Sequence, residues 1–193
     1  MAVQPDYRQE IAAVLEGTVN AFEVIVNDHK RLVASIVGRM VRLDQDREDI
    51  CQDVFVKVYQ SLGRFKFGAK LSTWIARIAY NTCLNHLEKH QVPLLGDSAN
   101  EDETCDSFAD EKSSVDRQFE ESELGKILIE EIASLPAQYR VIVTLYHLEE
   151  MSYGEIADVT CLPDGTVKSH LFRARKLLKD RLMAKYSQED LCR

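Results

Sequence analysis

The sequence predicts an all-α fold, two small helical bundles joined by an acidic flexible linker, and three observations carry that reading. Apolar residues recur at steps of three and four through most of the chain, the spacing of one buried stripe on a helix. No segment shows the period-two alternation of a half-buried strand. Between Asp97 and Glu123 eleven anions stand against two cations, a local net of −9. Such a stretch cannot bury enough apolar surface to offset the entropy of ordering it, so it reads as a tether between two folded units. The units are placed at residues 1–92 and 119–193, with the linker at 93–118.

The 193 residues suffice for two modest cores, and 45% hydrophobic with 29% charged residues is ordinary for a soluble protein. No apolar run is long enough to cross a bilayer, and the first residues lack a basic-then-apolar signal pattern, so a cytoplasmic location without membrane insertion is expected. Five cysteines at irregular spacing form no disulfide framework and read as reduced thiols. Cys83, His86 and His90 sit at helical steps of three and four but lack a convincing fourth ligand, so no metal is expected. No paired carboxylates or nucleophile–base set appears either, which argues against an enzyme and leaves no cofactor to expect. The net charge of −8 is smaller than the linker's own, so the folded parts sum to about neutral and can carry basic patches.

In chain order, Tyr7, Ile11, Val14 and Leu15 predict a first helix over Asp6–Glu16, stopped at Gly17. Asn20 and Glu23 have the spacing of a capping box for a second helix, whose apolar positions from Phe22 to Met40 form a core. A third helix starts at Asp44–Asp46 and runs to about Ser61, burying Ile50, Cys51, Val54, Phe55, Val58 and Leu62. Its other side aligns Asp49, Gln52, Asp53, Val56, Lys57 and Gln60. A solvated polar face explains that row, and a docking surface for a basic partner is the sharper reading.

The loop from Gly63 to Leu71 carries Arg64, Lys66 and Lys70 interleaved with Phe65 and Phe67. Ser72 is the expected cap of a helix from Thr73 to about His90, with Trp74, Arg77, Tyr80 and Asn81 away from its buried side. From Arg64 to His90 five cations face one anion. Cations that track phosphates beside rings that stack on bases are what a single-strand site needs. Each ring taken singly fits the core equally well.

In the second unit, Phe119 to Leu135 predicts a helix ended at Pro136, and Tyr139 to Leu148 the next. Ser152 and Glu155 form a capping box for a short helix with Ile156 and Val159 on one face. Thr160-Cys161-Leu162 breaks it, and Pro163 suits the first turn of the last helix. There Val167, Leu171, Ala174, Leu178 and Leu182 make a buried stripe. From Thr166 to Lys185 seven cations face one anion, with Lys168, His170, Arg173, Lys176 and Lys179 assigned to the outer face. Two helices about a tight turn, the second basic, is the pattern of a helix-turn-helix that lays its second helix in the DNA major groove. An amphipathic helix with a solvated basic face is the plainer reading of that stretch alone.

Taken together, AFEVIVNDHKRLV, DREDICQDVFVKVYQSLGRF, KLSTWIARIAYNTCLNHL and the stretch from Leu135 to Leu178 resemble, in order, the segments of bacterial RNA polymerase sigma factors of the extracytoplasmic-function group. The resemblance implies a non-catalytic factor that binds core RNA polymerase and directs promoter-specific transcription initiation. It implies that Asp49, Gln52, Asp53, Val56 and Lys57 dock on the polymerase clamp helices. It implies that Arg64, Phe65, Lys66, Phe67, Lys70, Trp74, Arg77, Tyr80 and Asn81 capture melted minus-ten bases. Thr166, Lys168, Ser169, His170, Arg173 and Lys176 would read the minus-thirty-five element as duplex. It also implies an anti-sigma partner, a linker threaded through the polymerase cleft, and promoter DNA as both duplex and melted strand.

The chain departs from that pattern at Thr160-Cys161, where the family often has Leu-Gly, so a rebuilt turn is expected. His170 stands where Arg is frequent, which removes a permanent cation. The charge of the linker predicts that it weakens DNA binding by the free protein. A helix-turn-helix transcriptional regulator that acts without polymerase docking is the alternative reading. It leaves the basic aromatic loop and Trp74 without a purpose.

Overall fold

The computed structural model describes residues 6–41, 43–89 and 123–186. These residues form α1 (Arg8–Leu15), α2 (Val19–Met40), α3 (Asp44–Ser61), a 3-10 turn (Leu62–Arg64), α4 (Leu71–Lys89), α5 (Glu123–Ala133), α6 (Ala137–His147), α7 (Tyr153–Thr160) and α8 (Asp164–Lys185). No strand occurs among the described residues, in agreement with the all-α expectation. The acidic linker, Phe119 and His90 lie outside them.

In the first bundle α1, α3 and α4 pack around α2, and α3 also packs on α4. The stripes expected from the spacing meet there: Ile25, Val33, Ile36 and Val37 from α2, Val54 and Val58 from α3, and Ile75, Ala79 and Cys83 from α4 are all fully buried. Burying one such aliphatic side chain contributes roughly 1.5–3 kcal/mol, which is how short helices of ordinary propensity persist. Arg47 fixes the turn between α2 and α3, its Nε donating to the Val41 carbonyl at 2.8 Å and its Nη1 pairing with Asp44.

Two expected caps are not formed. Helix α2 begins at Val19, with extended Thr18 as its cap and no side-chain cap bond, so Asn20 already lies in the first turn. Gly17, at φ +92°, turns the chain early enough for this start. Helix α4 begins at Leu71, not after Ser72, and the Trp74 N–H already donates to the Lys70 carbonyl at 3.1 Å. Burial of Leu71 draws that first turn one residue back.

The second bundle centres on α8, against which α5, α6 and α7 all pack. Val141, Ile142, Leu145, Ile156, Val159, Val167, Leu171 and Ala174 form its core. The Ser152–Glu155 capping box is present in both directions: the Ser152 Oγ accepts from the Glu155 N–H, and the Ser152 N–H donates to Glu155 Oε2 at 2.8 Å. Pro163 stays outside α8 as its extended cap, one residue earlier than expected. The turn is not rebuilt: Cys161 itself takes the left-handed conformation at φ 57°, a strain of about 1–2 kcal/mol for a residue with a Cβ.

The two bundles touch, α7 packing on α4 and α6 on α2. Arg140 of α6 reaches across, its Nε donating to the Arg39 carbonyl at 2.8 Å while its Nη1 donates to the Ala133 carbonyl. One guanidinium thereby satisfies carbonyls near the C-terminal ends of two helices, α2 and α5, which have no partner within their own helix.

Candidate nucleic-acid interface

The loop after the 3-10 turn gathers the rings. Phe65 packs against the core, with Trp74 at 5.3 Å and Phe67 at 4.8 Å between ring centroids. Phe67 has φ +56° and is 40% exposed, so a bulky residue is held in a left-handed conformation with its ring at the surface. The Arg8 guanidinium of α1 lies 4.6 Å from the centre of that ring. Asp6, Tyr7, Arg8, Phe65, Phe67, Ala69, Lys70 and Leu71 line a cavity of about 170 Å³.

Around these rings Arg64, Lys66, Lys70, Arg77 and Asn81 are exposed, and Trp74 is half-buried. Tyr80 differs from the expectation of an outward residue. It is 9% exposed and lies near Cys161 of the helix-turn-helix turn, because α7 covers that part of α4. Arg8 and Tyr7 were not legible as site residues, since nothing in their local sequence shows which loop α1 packs beside.

On the far side of α3, Asp49, Gln52, Asp53 and Val56 line one groove of about 440 Å³ with Asp46, Ile50 and His86. His86 Nε2 stands 3.3 Å from Asp46 Oδ2, tying α4 to the start of α3. Lys57 does not line the groove, and its ammonium donates to Thr82 Oγ1 at 3.2 Å. Cys83 is fully buried, its thiol pushed up to about 12 chiefly by burial. Among the described residues no group of three or more His, Cys, Asp or Glu is placed to hold a metal.

On α8, Lys168, Ser169, Arg173 and Lys176 share an exposed face, and Thr166 sits at its edge. Phe172, 69% exposed, stands among them and was missed by a reading that looked for cations. His170 is a correction. At about 100° per residue it falls roughly 60° round from Arg173, toward the buried side. There it meets Tyr139 edge-on at 5.5 Å, and its Nδ1 is buried without a hydrogen-bond partner among the described residues. Burial first and Arg173 second lower its pKa, so it is a neutral packing residue near pH 7.

The base of the helix-turn-helix is braced by an aromatic stack. Tyr146 and Tyr153 stack at 5.2 Å, and the Arg175 guanidinium lies 5.1 Å over Tyr146 while its Nε donates to His147 Nε2 at 3.2 Å. Arg175 is therefore engaged in packing, although it adds to the local positive charge.

Residues 25–92 match the Sigma-70 region 2 family, and residues 126–178 match Sigma-70 region 4. The chain is 34% identical over 176 residues to the ECF RNA polymerase sigma-E factor of Escherichia coli K12, spanning 89% of this chain and 92% of that protein. It belongs to the extracytoplasmic-function group of RNA polymerase sigma factors. The RNA polymerase sigma-H factor of Pseudomonas aeruginosa is likewise 32% identical over 182 residues, covering 92% of this factor and 94% of that one.

Two solved structures share the fold. One is CnrH in complex with the cytosolic domain of CnrY, with a TM-score of 0.62 and 22% identity over 94% of this chain and all of that one. The other is the sigma factor RpoE from Bartonella quintana with the anti-sigma factor NepR, with a TM-score of 0.63 and 21% identity over 87% of this factor and all of that chain.

Proposed function

We propose that this sigma factor binds core RNA polymerase through the acidic groove of α3, captures melted minus-ten bases at the basic aromatic loop, and reads the minus-thirty-five element as duplex with α8. In this reading residues 1–92 dock and open, residues 93–118 tether, and residues 119–193 position. The observation that carries it is the surface ring Phe67, backed by Phe65 and Trp74 and flanked by Lys66 and Lys70. Unstacking a base costs a few kcal/mol, and stacking it on a ring returns about 1–3 kcal/mol. Arg77 and Asn81 supply polar contacts one turn apart on α4. Arg173 is the main base contact in the duplex, and Lys176 a phosphate contact.

No residue here makes or breaks a covalent bond; nucleotide addition is left to the polymerase, beside which the factor works in the cytoplasm. An anti-sigma protein that holds the two bundles together is the natural restraint, a partner class suggested by the anti-sigma factor bound to the Bartonella quintana neighbour. Run-off transcription with core polymerase tests the reading. Promoter-dependent transcripts are expected. Duplex binding without polymerase binding or transcripts would return the chain to the helix-turn-helix regulator class.

A further inference from the structure

Helix α1 has no place in the proposed DNA site, yet its first residue stands over the most exposed ring of that site. The Arg8 guanidinium is 4.6 Å from the Phe67 ring centre, and Arg8 and Tyr7 form one side of the cavity whose other side is Phe65, Phe67 and Leu71. The volume of about 170 Å³ is below the roughly 300–1,000 Å³ of pockets that take larger ligands, and suits a single planar ring system.

Three features fix the chemistry of an occupant. Three of the lining residues, Tyr7, Phe65 and Phe67, are aromatic, which favours a flat π-system. Two cations, Arg8 and Lys70, stand at the cavity against one carboxylate, Asp6, with Lys70 also paired to Glu155 at 2.8 Å; the excess of positive charge favours a group that carries a phosphate. Phe67 holds a left-handed backbone at φ +56°, a conformation that costs a residue with a Cβ and is maintained here with the ring at the surface.

Arg8 is held only loosely by Asp6, which lines the same cavity: its Nε is 3.5 Å from Asp6 Oδ1, and both side chains are about two-thirds exposed, at 66% and 71%. An exposed pair of that kind contributes little, so the guanidinium is available to a ligand. Tyr7 is the opposite, a fixed wall. Its hydroxyl donates to Asp28 Oδ2 at 3.0 Å, and burial followed by that hydrogen bond pushes its pKa up to about 12.

We infer that Arg8 is a base-binding residue of the factor, closing the outer side of the Phe65–Phe67 cavity so that one unpaired DNA base is held beneath its guanidinium plane. This rests on the single-strand reading of the loop and adds to it an element from outside the loop. A planar guanidinium stacks on a base as a ring does, while its N–H groups remain free for the adjoining phosphate. A lysine has the charge but not the plane.

The test uses the full chain and two fluorescent probes, a single-stranded dA 12-mer and a 12-mer of the same backbone with abasic sites throughout. The ratio of the two affinities isolates base contacts from phosphate contacts. Arg8→Ala should lower that ratio about tenfold, the size of one base-stacking contact. Arg8→Lys should lower it nearly as far, because charge alone does not stack. Melting curves of both variants report folding, and Ala at an exposed helix position keeps α1 intact.

An equal loss on both probes would make Arg8 a phosphate contact only and overturn the inference, as would an unchanged ratio. A double-mutant cycle with Phe67→Gly adds a second criterion: the two changes should be less than additive, and strict additivity would overturn the pairing. Run-off transcription separates this from the broader reading. A wild-type factor that initiates transcription with an Arg8-independent probe ratio refutes only the Arg8 role. A wild-type factor that neither initiates nor prefers the base-bearing probe refutes both.

Discussion

Lys70 Nζ lies 2.8 Å from Glu155 Oε1, so the basic loop of the first bundle is joined by an ion pair to the capping box of the helix-turn-helix in the second. The same contact face covers Tyr80. Lys70 and Tyr80, two residues of the proposed melted-DNA site, are thus engaged by the other bundle, and on that proposal strand capture would require the bundles to separate. Burial works against the Glu155 carboxylate, but hydrogen bonds from Lys70 and Ser152 outweigh it and lower its pKa.

Glu155→Gln tests that relationship cleanly, because Gln preserves a capping box while removing the charge. The Lys70 side chain is 47% exposed, so screening limits the cost to stability to about 0.2–1 kcal/mol. Single-strand affinity of the free factor should rise two- to fivefold at low salt and converge with wild type at high salt. A fluorescence titration across a salt series checks this; unchanged affinity at every salt would show that the ion pair does not hold the loop.

The pair also carries a pH prediction. A lowered carboxylate pKa gives stability that is present above the unfolded value and lost as pH falls through the folded one. Closure should therefore loosen on acidification below about pH 4.5, the ordinary glutamate value. Intramolecular energy transfer between dyes on the two bundles should report that loosening, and Glu155→Gln should abolish its pH dependence. A dependence that survives the substitution would assign it to other carboxylates.

His29 acts in the opposite sense to a salt-bridged histidine. It is 4% exposed, its Nδ1 lies 2.8 Å from the Ile25 carbonyl, and burial lowers its pKa despite that bond and nearby Asp28. The neutral ring is favoured in the folded chain, so the unfolded chain binds more protons below its own pKa near 6.5. Stability should fall as pH drops through 6.5 and level off below the folded pKa. Urea midpoints at pH 7.5, 6.5 and 5.5 measure it, and His29→Gln should flatten the curve over that interval.

How much of this was legible follows from which interactions are local. The stripes from Ile25 to Val37 and from Val167 to Leu182 needed only helical period; the first buries, and the second buries as far as Ala174, with Leu178 and Leu182 half-buried. The Ser152–Glu155 box has both partners within three residues and was found. Asn20–Glu23 has the same spacing, yet Gly17 starts α2 before it, so a backbone turn overrides a side-chain signal. Arg8 over Phe67, Lys70 with Glu155, and Arg140 on the Arg39 carbonyl join residues that are dozens of positions apart. No periodicity carries such pairs; they follow from how the helices pack. His170 was misplaced for a smaller reason, a residual helical angle that moves it off the cationic face toward Tyr139.

Cys161 is the position where a single substitution should improve the fold. Its left-handed φ of 57° at the end of α7 is the conformation glycine adopts without penalty, and the residue is exposed. Cys161→Gly should stabilise the factor by about 0.5–1 kcal/mol after the greater unfolded-state entropy of glycine is allowed for. Cys161→Val, β-branched, should destabilise it by a similar amount or more. Thermal melting checks both; a glycine variant that melts lower would mean the thiol makes a contact worth more than the strain.

Arg173 and His170 should part company in a duplex-binding experiment. Arg173 is exposed on the face shared with Lys168, Ser169 and Phe172, whereas His170 is turned against Tyr139 with its Nδ1 buried. Arg173→Ala removes a fork of donors from the major groove, and about 1–3 kcal/mol of discrimination should go with it at one or two base pairs. Lys176→Ala should weaken all duplexes alike and reduce the salt slope by about one ion. His170→Ala should instead lower the melting temperature, because it opens a gap beside Tyr139, and leave the preferred sequence as it was. Selection from a random duplex pool with each full-length variant, followed by melting curves, distinguishes the three. If His170→Ala changed the selected sequence while stability held, His170 would have to rotate outward on DNA, and the neutral packing role assigned to it would be wrong.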